Sequence, residues 1–394
     1  MRIAQVAPLY ESVPPKMYGG TERVVSYLTE ELVRRGHEVT LYASGDSETS
    51  ARLIPCSQSG LRLDPNVKDP IALHIAMLER VAANALDYDI IHYHTDYLSF
   101  PSARRHGIPH VSTLHGRLDI PELVPLYKEF RDMPVVSISH AQRKPLPWAN
   151  WKATIYHGLP LDLAQLSEKP GDYLVFLGRL SPEKRPDRAI RIAGMAGLPL
   201  KIMGKVDVAD RAYYRTVIRP LLRKADVEFV GEGGDKEKFP LLAGALALLF
   251  PIDWPEPFGL VQIEAMAVGT PVIAFPCGSV PEVIDHEVTG FIVHSEEEAA
   301  RVVDRCASLD RVQIRRVFEE RFSVQRMVDE YEKLYESMVE SREFRVYAKR
   351  AQRWSTSRVS VPKVPAMTPA TVSSQESVVS ASSAQQAGSA QTAL

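Results

Sequence analysis

Cysteine is scarce in this chain: Cys56, Cys277 and Cys306 stand alone among 394 residues. Three widely spaced thiols argue against a disulfide framework and against a zinc site, and they suit a reducing compartment. Net charge is scarce as well. Lys and Arg number 47 against 49 Asp and Glu, a formal charge of -2, so no global positive field points to nucleic acid or to a membrane surface. Long apolar runs are missing too, and no stretch approaches the ~20 residues of a membrane span. Met1-Arg2-Ile3-Ala4-Gln5-Val6-Ala7-Pro8 is too short an apolar run for a signal peptide and reads as a first strand. These absences together give a cytoplasmic protein. Two nucleotide signatures are absent. No Gly-x-Gly-x-x-Gly follows the first strand, which weighs against a nicotinamide-dependent oxidoreductase. Gly231-Glu232-Gly233-Gly234 is not followed by Gly-Lys-Ser/Thr, so a P-loop fails and a turn remains.

What is present is an ordinary folding composition, 45% hydrophobic and 24% charged, in a chain comfortable for two domains. Residues 2 to 7, Val39 to Ala43, Asp89 to His94, His110 to Leu114, Val135 to Ser139 and Ala153 to Tyr156 read as short strands. Helices at Thr21 to Arg35 and 71 to 86 lie between them. A second series starts with a strand at Tyr173 to Leu177 and a helix at 187 to 196. It continues with strands at Leu200 to Met203, Val227 to Val230, Leu246 to Phe250, Val272 to Phe275 and Phe291 to Val293, and with a helix over 208 to 224. Each half is predicted to be a doubly wound, Rossmann-like α/β domain. The expected boundaries are 1–165 and 171–322, then a helix at 323–341 and a tail at 342–394.

The most informative stretch is Trp254-Pro255-Glu256-Pro257-Phe258-Gly259-Leu260-Val261-Gln262-Ile263-Glu264, closed by Gly269-Thr270-Pro271. A buried strand precedes it, and a helix starts near Phe258 or Gly259. The N–H groups and positive end of that helix suit a phosphate. Leu260 and Glu264 share one face. Ionised Glu256 and Glu264 each accept two hydrogen bonds at once, which suits vicinal hydroxyls. Two glutamates on an ordinary solvated helix would show the same spacing; the flanking Pro-Phe-Gly-Leu and Gly-Thr-Pro set this one apart. Gly19 and Gly20 lie in the loop after the first strand, where a backbone comes close to a ligand. His115 ends the strand at 110 to 114, at the same kind of edge, and His92, His94 and His157 hold comparable places without zinc-ligand spacing. Arg179 and Lys184, in Gly-Arg-Leu-Ser-Pro-Glu-Lys, follow the first strand of the second half and suit a diphosphate. Asp87-Tyr88-Asp89 falls at the amino edge of a strand, away from the ligand side, and reads as a turn; metal dependence is not supported.

These residues together resemble the retaining, nucleotide-sugar-dependent glycosyltransferases of family 4. The carrying motifs are Glu-x7-Glu at Glu256 and Glu264, Gly-Arg-Leu-Ser-Pro-Glu-Lys, Gly-Thr-Pro-Val-Ile-Ala, and Pro-Glu-Val-Ile followed by Thr-Gly-Phe-Ile-Val. Tyr-Gly-Gly-Thr-Glu and Leu-His-Gly match less specific features. The resemblance spans roughly residues 1 to 340. It implies a GT-B fold, in which two Rossmann-like domains face a crevice and the Ser323 helix crosses back to the first. It implies a UDP- or GDP-sugar donor and a sugar, lipid-linked or small-molecule acceptor with a reacting hydroxyl, in polysaccharide, glycolipid or glycoconjugate synthesis, without metal or other cofactor. Arg179 and Lys184 would neutralise the diphosphate, and Glu256 would bind donor-sugar hydroxyls while Glu264 binds the ribose. Phe258, Gly259 and Leu260 would offer backbone N–H groups, His115 would touch the transferred sugar, and Gly20 would approach the phosphate. Cys277-Gly278-Ser279-Val280-Pro281-Glu282 departs from the Gly-Gly often found before Pro-Glu.

The segment Arg342 to Lys363, basic with interleaved aromatics, and the Ser/Ala/Gln-rich stretch after Thr368 read as a solvated, disordered tail. Weak peripheral contact with an anionic inner membrane surface is the alternative for the basic part. For the whole chain, a GT-B-fold nucleotide-sugar epimerase and a non-catalytic nucleotide-sugar-binding protein are the rivals.

Overall fold

A computed structural model describes residues 1–341 apart from Tyr18, Lys224 and Ala225. The expectations for the tail at 342–394, including membrane contact through Arg342 to Lys363, lie outside the described residues.

The first series runs β1 (Arg2–Val6), α1 (Gly20–Arg34), β2 (Glu38–Ser44), β3 (Arg52–Ser57), α2 (Pro70–Ala83), β4 (Ile90–Tyr93), α3 (Phe100–His106), β5 (His110–Thr113), α4 (Leu123–Glu129), β6 (Val135–Ser137) and β7 (Trp151–Thr154). Its strands pair in the order β3-β2-β1-β4-β5-β6-β7, parallel throughout. The second runs β8 (Leu174–Leu177), α5 (Pro186–Ala196), β9 (Leu200–Met203), β10 (Val227–Gly231), α6 (Asp235–Ala243), β11 (Ala247–Phe250), α7 (Leu260–Ala267), β12 (Val272–Ala274) and β13 (Gly290–Ile292). After these come α8 (Glu296–Val302), α9 (Arg311–Arg321) and α10 (Val324–Glu340). Here the order is β10-β9-β8-β11-β12-β13, again all parallel.

The central strands are apolar without alternation because helices cover both faces; every residue of β4, β8 and β11 is buried. Strand order reverses between β1 and β4 and again between β8 and β11, and the crevice outside the carboxyl ends of such a reversal is where α/β sheets take ligands. α1 turns Val24, Val25, Leu28 and Leu32 inward and stops at Gly36, whose φ of +86° only glycine adopts without strain.

Three elements have no clear sequence signal. β3 is a half-buried edge strand containing Pro55, a residue strands tolerate only at edges. α3 and α4 are seven-residue helices too short for a readable period. The single helix expected over 208 to 224 is instead a 3-10 turn at Val208–Asp210 followed by helical pieces around a wide π turn at Tyr214–Ile218. Pro220 has no N–H to return to Thr216, which breaks the regular ladder there.

The chain passes between the sheets twice, side by side. Leu159 N–H donates to Phe322 O at 2.9 Å, and Val324 N–H donates to Leu159 O at 2.9 Å. α10 then lies on the first sheet, burying Met327, Val328, Tyr331, Tyr335 and Met338 against Ile3, Val24, Leu28 and Val111. The Val and Met side chains among these contribute about 1.5–3 kcal/mol each, which outweighs the partly exposed ion pairs at the rim. Arg35 meets Asp329 and Glu332 there, each at 2.6 Å. Across the crevice, Arg23 of α1 pairs with Asp235 of α6 at 2.5 Å. The Glu282 carboxylate accepts from the N–H groups of His140 and Ala141 at 2.7 and 2.6 Å. Among the described residues no helix is long and apolar enough to cross a membrane.

Candidate active site

The carboxyl ends of the two sheets enclose a cavity of about 390 Å³. Gly19, Gly20, Arg23 and His115 line it from the first sheet, and Lys184, Lys205, Lys238 and residues 256–261 and 264 from the second.

The wall from the second sheet is built by the loop after β11. Gly259 takes a φ of +77°, turning the chain from that loop into α7, which begins at Leu260 rather than at Phe258. Phe258, Gly259, Leu260 and Val261 line the cavity, so the start of α7, where the first N–H groups have no carbonyl four residues back, borders it; Gln262 N–H turns back to Gly259 O at 3.1 Å. The other end of α7 closes in a Schellman arrangement. Gly269 N–H donates to Met266 O at 3.0 Å and Thr270 N–H to Ala265 O at 2.9 Å. Glu256 and Glu264 flank the helix start, 8% and 5% exposed. Glu256 Oε2 accepts from Trp254 Nε1–H at 3.0 Å and pairs closely with Lys184. Glu264 Oε1 accepts from Lys238 Nζ at 2.6 Å. A carboxylate has about four acceptor positions, so both keep capacity for hydroxyl donors.

The segment Cys277-Gly278-Ser279 braces this loop from behind. Ser279 Oγ–H donates to Phe258 O at 2.7 Å and Ser279 N–H to Glu256 O at 3.0 Å. Gly278 sits at φ +58°, and a Cβ there would overlap the Glu256 backbone. The sequence marks this segment only as a departure; its contact with the loop is a tertiary fact.

The cations are arranged differently from the linear motif. Lys184 reaches the cavity, held by Glu256. Arg179 is not among the residues lining it; its guanidinium lies among Glu183, Asp210 and Asp207 at 3.4, 3.5 and 3.7 Å, three carboxylates that draw it aside. Arg23, Lys205 and Lys238 line the cavity without having been read from the sequence, for none sits in a recognisable motif. Lys205 Nζ meets Asp207 at 3.0 Å, and Lys238 bridges Glu264 and Asp235.

From the first sheet, Gly20 faces the helix start: a Cβ added to it would touch Leu260 at 3.6 Å. His115 follows β5. Its N–H donates to Asp96 Oδ1 at 3.2 Å, its Nε2 lies 2.9 Å from His94 Nδ1, and its ring stacks on His157 at 5.3 Å. His157 in turn meets Phe258 edge-on at 4.9 Å, so a ring column crosses from one sheet's loop to the other's. Burial pushes the His115 imidazole down to about 3, leaving it neutral near pH 7. Asp96 occupies the left-handed region at φ +47°, and burial pushes its carboxyl up to about 6 against the opposing effect of the His115 and Gly116 N–H groups. His92 and His94 are fully enclosed and hydrogen-bonded to Tyr335 and Gln5. At the far, amino edge, Asp89 of Asp87-Tyr88-Asp89 binds the Arg2 side chain at 2.7 Å. Among the described residues no three His, Cys, Asp or Glu side chains are grouped as a metal would need, and the three cysteines are free.

Comparison with known proteins adds to this geometry. The family model described as Glycosyl transferases group 1 matches residues 163–322, and the one described as Glycosyltransferase Family 4 matches residues 18–157. An uncharacterised glycosyltransferase of Methanocaldococcus jannaschii is 28% identical over 362 residues, covering 78% of this chain and 89% of its own. The α-maltose-1-phosphate synthase of Mycobacterium tuberculosis is 26% identical over 349 residues, covering 75% and 86%. Among solved structures, an Anabaena protein in complex with UDP-glucose superimposes with a TM-score of 0.67 at 19% identity, over 86% of this chain and 100% of that one. That likeness is one of fold.

Proposed function

Because this chain belongs to glycosyltransferase family 4 and is a glycosyltransferase of GT-B fold, we propose that it moves a sugar from a UDP- or GDP-sugar to an acceptor hydroxyl, with retention at the anomeric carbon and without a metal ion. One observation carries this reading: the N-terminus of α7 opens into the cavity between two buried carboxylates, with Lys184, Lys205, Lys238 and Arg23 around it. A helix end and cations suit a diphosphate, and carboxylates suit the hydroxyls of ribose and sugar. The Anabaena protein of the same fold, solved with UDP-glucose, supports a nucleotide-sugar donor.

In this reading Glu264 takes the ribose, Glu256 and His115 the donor sugar, and Phe258, Gly259 and Leu260 offer N–H groups to sugar and phosphate. Gly19 and Gly20 let the first sheet's loop approach the phosphate. The bond from the anomeric carbon to the diphosphate oxygen breaks, and negative charge builds on the leaving group. Lys184 and the α7 dipole lie where that charge develops, preorganised rather than recruited. Arg179 contributes once it leaves its carboxylates. The acceptor oxygen bonds to the same face of the sugar, and its proton passes to the departing phosphate. The acceptor is a sugar, a lipid-linked molecule or a small molecule, and the reaction is cytoplasmic, at the inner membrane face when the acceptor is lipid-linked.

A thermal-shift screen against UDP, GDP, ADP and their sugar conjugates, with and without EDTA, tests this. Stabilisation by UDP or GDP that is indifferent to EDTA and lost in Glu264→Ala is the expected result. No shift with any nucleotide would overturn the donor assignment, and dependence on a divalent ion would overturn metal independence.

A further inference from the structure

His115 does not stand alone: it ends a chain of buried hydrogen bonds running back to the crossover helix. Its Nε2 lies 2.9 Å from His94 Nδ1, and His94 Nε2 lies 2.8 Å from Gln5 Oε1. Gln5 Nε2–H donates to the Tyr335 hydroxyl at 3.3 Å. That hydroxyl is 2.6 Å from His92 Nδ1, and His92 Nε2 is 2.7 Å from Thr113 Oγ1, which meets the Tyr331 hydroxyl at 2.8 Å. Gln5, His92, His94, Thr113, Tyr331 and Tyr335 are all at most 1% exposed. Burial holds His92 and His94 far below the usual histidine range and Tyr335 far above the usual phenol range. Each imidazole in the chain therefore carries one ring proton and Tyr335 keeps its own.

Direction follows from the Gln5 amide, whose oxygen faces His94 and whose nitrogen faces Tyr335. Gln5 Oε1 can only accept, so His94 Nε2 carries the hydrogen and His94 Nδ1 is a lone pair. His115 Nε2 must then be the donor, and its Nδ1 is left bare. We propose that Gln5 and His94 are positioning residues that hold His115 in its Nε2–H form, so that it presents Nδ1 as a hydrogen-bond acceptor for a hydroxyl of the bound sugar. The Tyr335 hydroxyl, bonded to the Gln5 amide and to His92, links this choice to the docking of α10. Turning that amide over would reverse each donor and put the His115 proton on Nδ1, where it would donate. The tautomer is thus a discrete outcome. The sugar contact rests on the transferase reading above; the tautomer does not.

Two-bond proton–nitrogen correlation spectra of the full chain with 15N-histidine read the tautomer without ligand, His115 being assigned by its loss in His115→Asn. The expected wild-type pattern is Nε2–H. Gln5→Leu breaks the chain and moves His115 to Nδ1–H or a mixture, while Gln5→Glu, which still accepts from His94, restores Nε2–H. With a donor identified by the nucleotide screen, Gln5→Leu lowers kcat about tenfold, the worth of one hydrogen bond made in the transition state, with KM little changed, and Gln5→Glu recovers most of it. Should Gln5→Leu fail to fold, Tyr335→Phe deletes one hydroxyl while keeping the ring; it removes the partner of the Gln5 amide nitrogen and lets the amide turn, which mixes the tautomers. A wild-type Nδ1–H pattern, or an unmoved tautomer in both variants, overturns the proposal. The expected tautomer in a protein that neither binds a nucleotide sugar nor transfers one would overturn the sugar contact while leaving the hydrogen-bonded chain intact.

Discussion

Replacing Glu264 by alanine should separate nucleotide binding from folding. The carboxylate is 5% exposed and accepts from Lys238 at 2.6 Å. Hydrogen bonds to a charged group are worth about 1.5–3 kcal/mol each, so losing two to the ribose weakens a nucleoside diphosphate by about 3–6 kcal/mol, or roughly 10²–10⁴ in Kd. The fold should suffer little. Lys238 keeps Asp235 at 2.8 Å, which is itself paired with Arg23, so no cation is orphaned, and alanine is the best helix former for a position inside α7. Glu256→Ala is the contrasting variant. It removes the partner of Lys184, leaving that ammonium near the Trp254 and Phe250 rings at 5.1 and 5.8 Å and available to the diphosphate. UDP or GDP without a sugar should therefore bind this variant as well as or better than wild type, while turnover falls. Titration calorimetry with UDP and GDP, beside thermal melts, reads both effects. Nucleotide binding by Glu264→Ala within threefold of wild type, with the melt unchanged, would refute the ribose assignment.

Glu22, in the first turn of α1 and 5% exposed, has its carboxyl pushed by burial from 4.5 up to about 7. The folded state binds the extra proton, so this group's contribution is full below pH 4.5 and is lost as pH rises through 7, at most about 3 kcal/mol. Glu22→Gln should therefore raise the urea midpoint at pH 8 and leave it unchanged at pH 4.5; equal midpoints at pH 8 would contradict this. Gly278→Ala, at φ +58° and against the Glu256 backbone, should displace the 256–258 loop and abolish donor-induced stabilisation, while circular dichroism shows the fold kept; an undiminished thermal shift would contradict the bracing role. Met327→Ala opens a void under α10 at a fully buried position and should cost about 2–5 kcal/mol in urea unfolding; a loss under about 1 kcal/mol would mean that the crossover helix is not firmly packed.

The two-sheet α/β architecture was readable because parallel strands covered on both faces are unbroken apolar runs, as at 247–250, and because glycines such as Gly36 and Gly269 end helices locally. The Glu256 to Glu264 stretch was readable for the same reason: loop, helix start and both carboxylates lie within one short segment, so geometry follows from spacing. Edge strand β3, the short helices α3 and α4 and the π turn before Pro220 were not, since their burial or irregularity depends on neighbours. Tertiary structure alone decided which charges meet the cavity. Arg179, placed beside Lys184 by the linear motif, is drawn off by Asp207 and Asp210 some thirty residues later. Arg23 and Lys238, more than two hundred residues apart and from opposite sides of the crevice, meet at Asp235 beside the cavity. The partners that orient His115, at positions 5, 94 and 335, are equally remote. A helix start or a buried strand is set by a few adjacent residues, whereas the direction of a side chain across a crevice depends on how two separate sheets are stacked, and no local spacing encodes that.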